Sequence, residues 1–273
     1  MSGPGFEPPP AWLLPPGVDP ALWRYSQTPR LAVEEDDYFS GHPLFSRDSA
    51  LVDDRFTAPG RLVDLGCGAG RHSVRFAARG FAVTAVDLSR AMLETVGRKG
   101  RDLGLEPGRL RCVQANLCRL DCLPEASFDY ALSLFSTLGM IRSAPARAEA
   151  LGQAFRLLRP GGRLAIHAHN LWLNLGDPQG RRWLLGQIAR RLTGRGGERG
   201  TFGDRRMDYR GVAGMAVHLF RWRELAGLLR GAGFRIDEAI PLDRTTAATI
   251  PAPSVFPSIR AGGWIVFAHR PGG

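Results

Sequence analysis

The chain has 273 residues, 44% of them hydrophobic, so it is long enough to bury a sizeable core in one α/β domain with appendages. No apolar run approaches membrane-spanning length, and no basic region followed by an apolar one stands at the N-terminus, so we expect a cytoplasmic protein without a membrane partner. The formal net charge is +10, and nearly all of the positive charge is carried by arginine, because Lys99 is the only lysine. This net charge favours a nucleic-acid partner only modestly.

The cysteine pattern indicates neither a disulfide framework nor a metal site. The four cysteines stand at positions 67, 112, 118 and 122. Only the last two are close in sequence, and no C-x-x-C pair or flanking histidine accompanies them. We therefore predict free thiols in a reducing compartment and no bound metal.

The N-terminal segment, residues 1–30, contains eight prolines. Proline at this density predicts an extended, partly disordered lead-in without regular helix or strand. Trp12, Trp23 and Tyr25 indicate that parts of the segment pack on the body of the protein.

A strand, a glycine turn and a helix are predicted between residues 61 and 80. The apolar run Leu62–Leu65 ends in the sequence Gly-Cys-Gly-Ala-Gly, and a helix-compatible stretch follows up to Gly80. This order is the first crossover of a parallel α/β sheet. Glycine permits positive φ and lets a ligand approach the backbone, while amides at the helix start face an anionic group.

Two carboxylates indicate what this turn binds. The spacing G-x-G-x-G is one residue shorter than the dinucleotide motif, and Asp64 precedes it. A carboxylate there is unfavourable beside a pyrophosphate but suits an ammonium or a sulfonium. The next predicted strand, residues 82–86, ends in Asp87, which can accept hydrogen bonds from ribose hydroxyls. These residues predict a pocket for an adenosine joined to an amino acid.

Three stretches resemble one family. The residues VDLGCGAGRHS (63–73) and VTAVDLS (83–89) are similar to the first two motifs of the class I S-adenosylmethionine (SAM)-dependent methyltransferases, of the small-molecule, ubiquinone-biosynthesis-like type. LLRPGGRLAI (157–166) resembles the turn that leads to their fifth strand. The resemblance implies a Rossmann-like α/β fold with helices on both faces of a seven-stranded, mostly parallel sheet whose last strand is antiparallel.

The resemblance also implies the cofactor site. It assigns the methionine end to Asp64, Gly66, Cys67, Gly68 and Gly70, and the ribose to Asp87. It assigns the adenine to Leu88, Asn116 and Leu117, and places Leu134 and Phe135 near the sulfonium. Many family members have an acid at the position of Asn116, and this chain keeps only an amide oxygen as acceptor there.

The resemblance divides residues 31–273 into parts of one domain. Residues 31–58 would form helices that cover the cofactor, with Tyr38, Phe39 and His42 at the site or packed on the sheet edge. Residues 59–170 would be the SAM-binding core, and 216–273 the end of the sheet. Residues 171–215 are an arginine-rich insertion, in which Trp183, Leu184, Leu185, Ile188 and Leu192 have helical spacing. It is either an amphipathic cover of the acceptor site or a solvated loop.

The expected activity is methyl transfer from SAM to an oxygen or nitrogen of a small molecule. The stretch VHLFRWREL (217–225) also resembles tRNA wobble-uridine methyltransferases, so tRNA is the second acceptor considered. An NAD-binding oxidoreductase and a non-catalytic SAM-binding protein are alternatives from other classes. Acceptor identity and oligomeric state stay open.

No catalytic residue is certain from the sequence, since the cofactor already supplies an activated methyl group. His169 ends the fifth predicted strand and Asn170 follows it, near the expected acceptor site, and His218 is a second candidate base. The alternative is that these side chains are packed in the core.

Overall fold

The computed structural model describes residues 8–193, 202–250 and 257–272. Its main sheet has seven strands in the order β3-β2-β1-β4-β5-β9-β8. The strands are β1 (Arg61–Leu65), β2 (Ala82–Asp87), β3 (Leu110–Gln114), β4 (Phe128–Ser133), β5 (Leu158–His169), β8 (Arg235–Asp243) and β9 (Ala261–His269). Pairing is parallel from β3 to β5, and β9 is antiparallel to both of its neighbours. The predicted fold class is confirmed.

Helices cover both faces of this sheet. They are α1 (Pro20–Ser26), α2 (Pro29–Val33), α3 (Glu35–Tyr38), α4 (Pro43–Asp53), α5 (Arg71–Ala78), α6 (Arg90–Asp102), α7 (Thr137–Met140), α8 (Ala144–Leu157), α9 (Pro178–Leu192), α10 (Trp222–Gly231) and α11 (Pro257–Arg260), with 3₁₀ turns at Ala11–Leu13 and Leu171–Gly176. In the described ranges, none of the helices has both the length and the apolar character needed to cross a bilayer.

The strand β5 shows why two cores form. Its residues alternate between faces, as the two-residue period of a strand requires. Leu164 and Ile166 pack in the core with α8 and α10, whereas Ala165 packs in the core with α4 and α5. A strand buried on both faces reads as a continuous apolar run, which is the pattern seen here.

The N-terminal prolines begin helices instead of preventing them. Pro20 and Pro29 stand in the first turn of α1 and α2, where a missing N–H leaves no hydrogen bond unmade. Asp19 caps α1, because its Oδ1 accepts from the amides of Ala21 and Leu22 at 3.1 and 2.9 Å. The prediction of no regular structure in residues 1–30 is therefore wrong for residues 20–26 and for the start of α2, and residues 1–7 lie outside the described ranges.

The insertion after β5 contains more structure than the sequence predicted. The helix α9 confirms the helical spacing, and a separate antiparallel hairpin follows it, β6 (Asp204–Tyr209) with β7 (Val212–His218). The sequence analysis did not predict this hairpin. The Arg/Gly-rich centre of the insertion, residues 194–201, lies outside the described ranges.

A buried ionic network joins the hairpin to the core. His218 is fully buried, and its Nδ1 and Nε2 each lie 2.7 Å from a carboxylate, of Asp204 and Glu224 respectively. Burial alone would lower the pKa of His218, but the hydrogen bonds to the two carboxylates raise it. Both ring nitrogens donate, so His218 is a structural cation that holds the start of β6, the end of β7 and α10 together.

Replacement of His218 by Gln is expected to lower the free energy of unfolding by about 3 kcal/mol at pH 6, because two charge-assisted hydrogen bonds are lost. Asp204 keeps its ion pair with Arg142. The contribution of a histidine with a raised pKa is complete below about pH 6.5 and is lost as the pH rises through the folded-state value. The deficit of His218→Gln should therefore shrink at pH 9, as measured by urea unfolding. His269→Gln, at a partly exposed pair with Asp237, is the control. An equal deficit at both pH values would contradict a charged His218.

Candidate functional site

A cavity of about 760 Å³ opens at the carboxyl ends of β1, β2, β4 and β5. This volume is within the range of ligand pockets, and strand ends are where open α/β sheets bind ligands. Its walls come from the glycine turn after β1, the N-terminal segment around Pro16–Val18, the helices α1, α3 and α4, and the hairpin β6–β7.

The glycine turn forms one end of the cavity beside a buried carboxylate. Asp64 is 3% exposed, and its Oδ2 accepts a 2.6 Å hydrogen bond from the hydroxyl of Ser73 in α5. Burial raises the pKa of Asp64 to about 6, against the opposing effect of Ser73 and Arg71. A Cβ at Gly66, where φ is +78°, would lie 2.3 Å from the Thr137 methyl, so only glycine fits.

Arg71 faces the same end with unused donors. Its Nε and Nη1 are buried and have no hydrogen-bond partner in the described part of the chain. Its guanidinium lies over the ring of Phe45, 3.3 Å from the centroid, and burial lowers its pKa. A buried guanidinium with free N–H groups is a site for a carboxylate. This end of the cavity therefore offers both a carboxylate and a guanidinium, the complement of an amino acid's two charges.

Asp87 connects β2 to the glycine turn. Its Oδ2 accepts from the amide of Gly68 at 2.9 Å, and its Oδ1 accepts from the amide of Ser89 at 2.8 Å. Burial raises the pKa of Asp87, while these backbone bonds lower it. Each carboxylate oxygen can accept a second hydrogen bond, so Asp87 still has acceptor capacity for a pair of hydroxyl groups.

The far end of the cavity is apolar and is closed by the N-terminal segment. Leu88 and Leu117 line it. Asn116 lines it too, but its amide nitrogen donates to Pro16 O at 2.8 Å and its oxygen accepts from the amide of Cys118. Asn116 thus holds the N-terminal segment in place, which the sequence did not predict for it.

The structure brings most of the predicted cofactor residues together around this one cavity. Those that line it are Asp64, Gly66, Cys67, Gly68, Asp87, Leu88, Asn116, Leu117, Leu134 and Phe135. Gly70 is instead the N-cap of α5 at φ +80°, where a Cβ would lie 2.5 Å from Val96 in α6. Its need for glycine is therefore explained by helix packing.

The three catalytic candidates have different environments. His169 lines the cavity. Asn170 is fully buried, and its amide nitrogen donates to Ser258 O and Ala261 O, while its oxygen accepts from the amide of Trp172. His218 belongs to the ionic network described above. Only the first of the three faces the space where an acceptor can bind.

Aromatic rings surround this space. The centroid of Phe135 lies 4.4 Å from that of Phe45 and 5.0 Å from that of Phe39, and 5.8 and 5.9 Å from those of His42 and His169. Phe135 and the next residue have φ of +52° and +61°, an unusual conformation for non-glycine residues. Strained backbone of this kind concentrates at functional sites.

Sequence reasoning did not identify the ion pair that closes the cavity. Glu35 of α3 pairs with Arg210, at the turn between β6 and β7, and Arg210 also donates to Leu31 O at 2.8 Å. The oxygen Oε1 of Glu35 lies 2.9 Å from the position of a Cβ at Gly68. The acidic run before Tyr38 was visible in the sequence, but its partner lies in an insertion whose hairpin carried no recognised signal.

Comparison with known proteins agrees with this architecture. Residues 62–162 match the family model of a methyltransferase domain. A SAM-dependent Diels-Alderase from Talaromyces variabilis is 34% identical over 109 residues, which are 40% of this chain and 36% of that protein. The 27-O-demethylrifamycin SV methyltransferase of Amycolatopsis mediterranei (strain S699) is 35% identical over 107 residues, 39% of this chain and 37% of that protein. The chain thus spans little more than a third of the length of these relatives.

A solved structure extends the likeness beyond this core. The 1,6-didemethyltoxoflavin-N1-methyltransferase of Burkholderia thailandensis, with its substrate and S-adenosylhomocysteine bound, has a TM-score of 0.58 and 20% identity, covering 95% of this chain and 93% of that one. At this identity the likeness concerns the fold alone. The family match covers β1 to β4 and the start of β5, and it agrees with the sheet order and the two acidic strand ends. Residues 62–162 are therefore a match to a methyltransferase domain, and the chain has the fold of the class I SAM-dependent methyltransferases.

Proposed function

We propose that this protein transfers the methyl group of SAM to an oxygen or nitrogen of a small-molecule acceptor bound in the aromatic part of the cavity. The observation that carries the proposal is a carboxylate beside the guanidinium of Arg71, whose Nε and Nη1 have no hydrogen-bond partner among the described residues, at one end of a cavity large enough for two molecules. SAM supplies a methyl group on a positively charged sulfur, which is already activated for transfer.

The residues of the chain fit this cofactor. In the proposal, Arg71 binds the carboxylate of the methionine part, and Asp64 lies beside its positive groups. Asp87 accepts from the ribose hydroxyls, and Leu88 and Leu117 contact the adenine. The N-terminal segment and the hairpin β6–β7 exclude water from the reacting atoms.

The acceptor is proposed to be a small molecule because of how the arginines are used. Several of them bind backbone carbonyls inside the protein: Arg147 donates to Ile141 O, and Arg163 to Arg55 O. His218, whose surroundings suggested tRNA, is a buried structural cation. Negligible binding of total tRNA at low salt in a filter assay would remove this alternative.

Cofactor binding without methyl transfer is the second candidate, because one relative named above is a SAM-dependent Diels-Alderase. The experiment is incubation of the purified protein with methyl-labelled SAM and a whole-cell extract, followed by identification of labelled products. A labelled small molecule supports the proposal. Tight SAM binding by calorimetry with no labelled product supports the second candidate. Binding of NAD and not SAM would overturn both.

Replacement of Asp87 by Ala is expected to weaken SAM binding about 100-fold, because two charge-assisted hydrogen bonds to the ribose are lost. Calorimetric titration with SAM measures the effect, and circular dichroism checks that the fold is intact. Asp87→Asn keeps the shape of the side chain and should lose less. Asp121→Ala, at an exposed carboxylate, is the matched control. An unchanged affinity in Asp87→Ala would show that the ribose lies elsewhere.

Replacement of Asp64 by Asn is expected to stabilise the protein and weaken cofactor binding. Because burial raises the pKa of Asp64 to about 6, its ionised form destabilises the folded state as the pH rises from about 4 to 6, by about 3 kcal/mol in total. Urea unfolding without ligand should therefore show Asp64→Asn more stable than the wild type at pH 8 and similar to it at pH 4. SAM affinity should fall at least tenfold at pH 8. A variant less stable than the wild type at pH 8 would contradict this account.

A further inference from the structure

We propose that the acceptor is a planar ring bearing an acidic hydroxyl group, a phenol or an enol, and that His169 is the catalytic residue that takes its proton. Asp48 and His167 are proposed as the positioning residues behind it. This inference rests on the methyl transfer proposed above and specifies the acceptor and the base.

The buried carboxylate of Asp48 is the first observation. Asp48, in α4, is 0% exposed, and its Oδ2 lies 3.1 Å from Nδ1 of His167 in β5. The two groups are not aligned as a hydrogen bond, and neither Asp48 oxygen has another hydrogen-bond partner in the described ranges. The guanidinium of Arg71 attracts Asp48 electrostatically, but a buried carboxylate without a hydrogen bond still destabilises a fold. A functional reason for its presence is therefore needed.

The second observation is the route from Asp48 to the cavity. The ring of His167 is fully buried and stands edge-on to that of His169, with centroids 5.2 Å apart. A Cβ at Gly263 in β9 would lie 2.9 Å from Nε2 of His167, so the neighbouring strand leaves room for this ring. His169 lies at the end of β5 and lines the cavity. Asp48 thus contacts His167, and His167 contacts His169, which faces the cavity.

His169 has the protonation state that a proton acceptor needs. Burial, together with the neighbouring His167 and His42, lowers the pKa of His169 to about 3, although Asp48 opposes this. The ring is therefore neutral at physiological pH and has a free lone pair. A positive charge that forms on it during the reaction is attracted by Asp48.

The third observation selects a planar acceptor. Phe39, Phe45 and Phe135 form a contiguous wall, with ring centroids 4.4 to 5.0 Å apart. Aromatic walls of this kind pack best on flat rings, through stacked or edge-to-face contacts. The same wall contacts His42, and Phe135 contacts His169. A ring on the wall can therefore present a hydroxyl group to a neutral imidazole.

The proposed step is balanced without a further reactant. The acceptor oxygen forms a bond to the methyl carbon while the bond between that carbon and sulfur breaks, and the bond's electron pair remains on sulfur. The hydroxyl proton passes to the free ring nitrogen of His169, which becomes positively charged. It then returns the proton to water. An oxygen that is becoming a protonated ether is a strong acid, so a base of low pKa suffices late in the step.

Three probes of equal size test the acceptor class: 2-naphthol, 2-naphthylamine and decahydro-2-naphthol, each with methyl-labelled SAM and the full chain. We expect methylation of 2-naphthol at a rate at least tenfold above that of the other two. Equal or faster transfer to the amine or to the aliphatic alcohol would overturn the inference and leave methyl transfer intact. No transfer to any probe by protein that binds SAM would also overturn it. Absence of SAM binding would instead overturn the proposed function.

Variants then test the residues with 2-naphthol as acceptor. His169→Gln should lower kcat about 100-fold with KM changed less than threefold, and with SAM affinity unchanged by calorimetry. His269→Gln, beside Arg163 at the other end of β5 from His169, is the matched control and should retain wild-type kcat. An unchanged kcat in His169→Gln would exclude this residue as the base.

The role of Asp48 is tested in the wild type and in the His169→Gln background. Asp48→Asn removes a buried charge, so it should fold and melt at a higher temperature than the wild type. It should lower kcat about tenfold in the wild type and have no further effect in His169→Gln, because the two residues act as one unit. Additive effects, or an unchanged kcat, would show that Asp48 does not act through His169.

Discussion

The cofactor end of this protein depends on the removal of two carboxylates from water. The parallel pairing of β1 with β2 places Asp64 and Asp87 at adjacent strand ends, and burial raises the pKa of both. The negative charge of Asp87 also contributes to the raised pKa of Asp64. Two desolvated negative charges in one cavity favour a ligand with positive charge, and a sulfonium with an ammonium meets that demand better than a pyrophosphate does.

An ion pair joins the two parts of the chain that cover this end of the cavity. Glu35 adds a third carboxylate above the glycine turn, and Arg210 pairs with it from the hairpin β6–β7. Arg210 also contacts the ring of Tyr38, 4.6 Å from its centroid. A single side chain thus joins α3 to the hairpin across the cavity. Tyr25 also packs on Tyr209, and Asp19 pairs with Arg206, so this ion pair is one of several contacts that hold the N-terminal helices against the hairpin.

The parts that could be predicted from the sequence are those whose signals are local. A strand, a glycine turn and a helix follow one another within twenty residues, and Asp64 and Asp87 are next to the elements that position them. The helices α1 and α2 were not predicted, because proline at a helix start cannot be distinguished in sequence from proline in an irregular segment. The structure distinguishes them at α1, where Asp19 caps the helix. The contact between Asp48 and His167 joins positions more than a hundred residues apart, and no local pattern predicts it.

The sequence also could not distinguish between two adjacent catalytic candidates, His169 and Asn170. His169 is the last residue of β5 and Asn170 follows it, yet adjacent side chains leave a strand in opposite directions. Asn170 turns toward the loop before β9 and fastens it, whereas His169 faces the cavity. The sequence fixes the position of the pair along the strand but not which face is open. That face is decided by β9 and the N-terminal helices, and therefore by contacts that only the assembled fold provides.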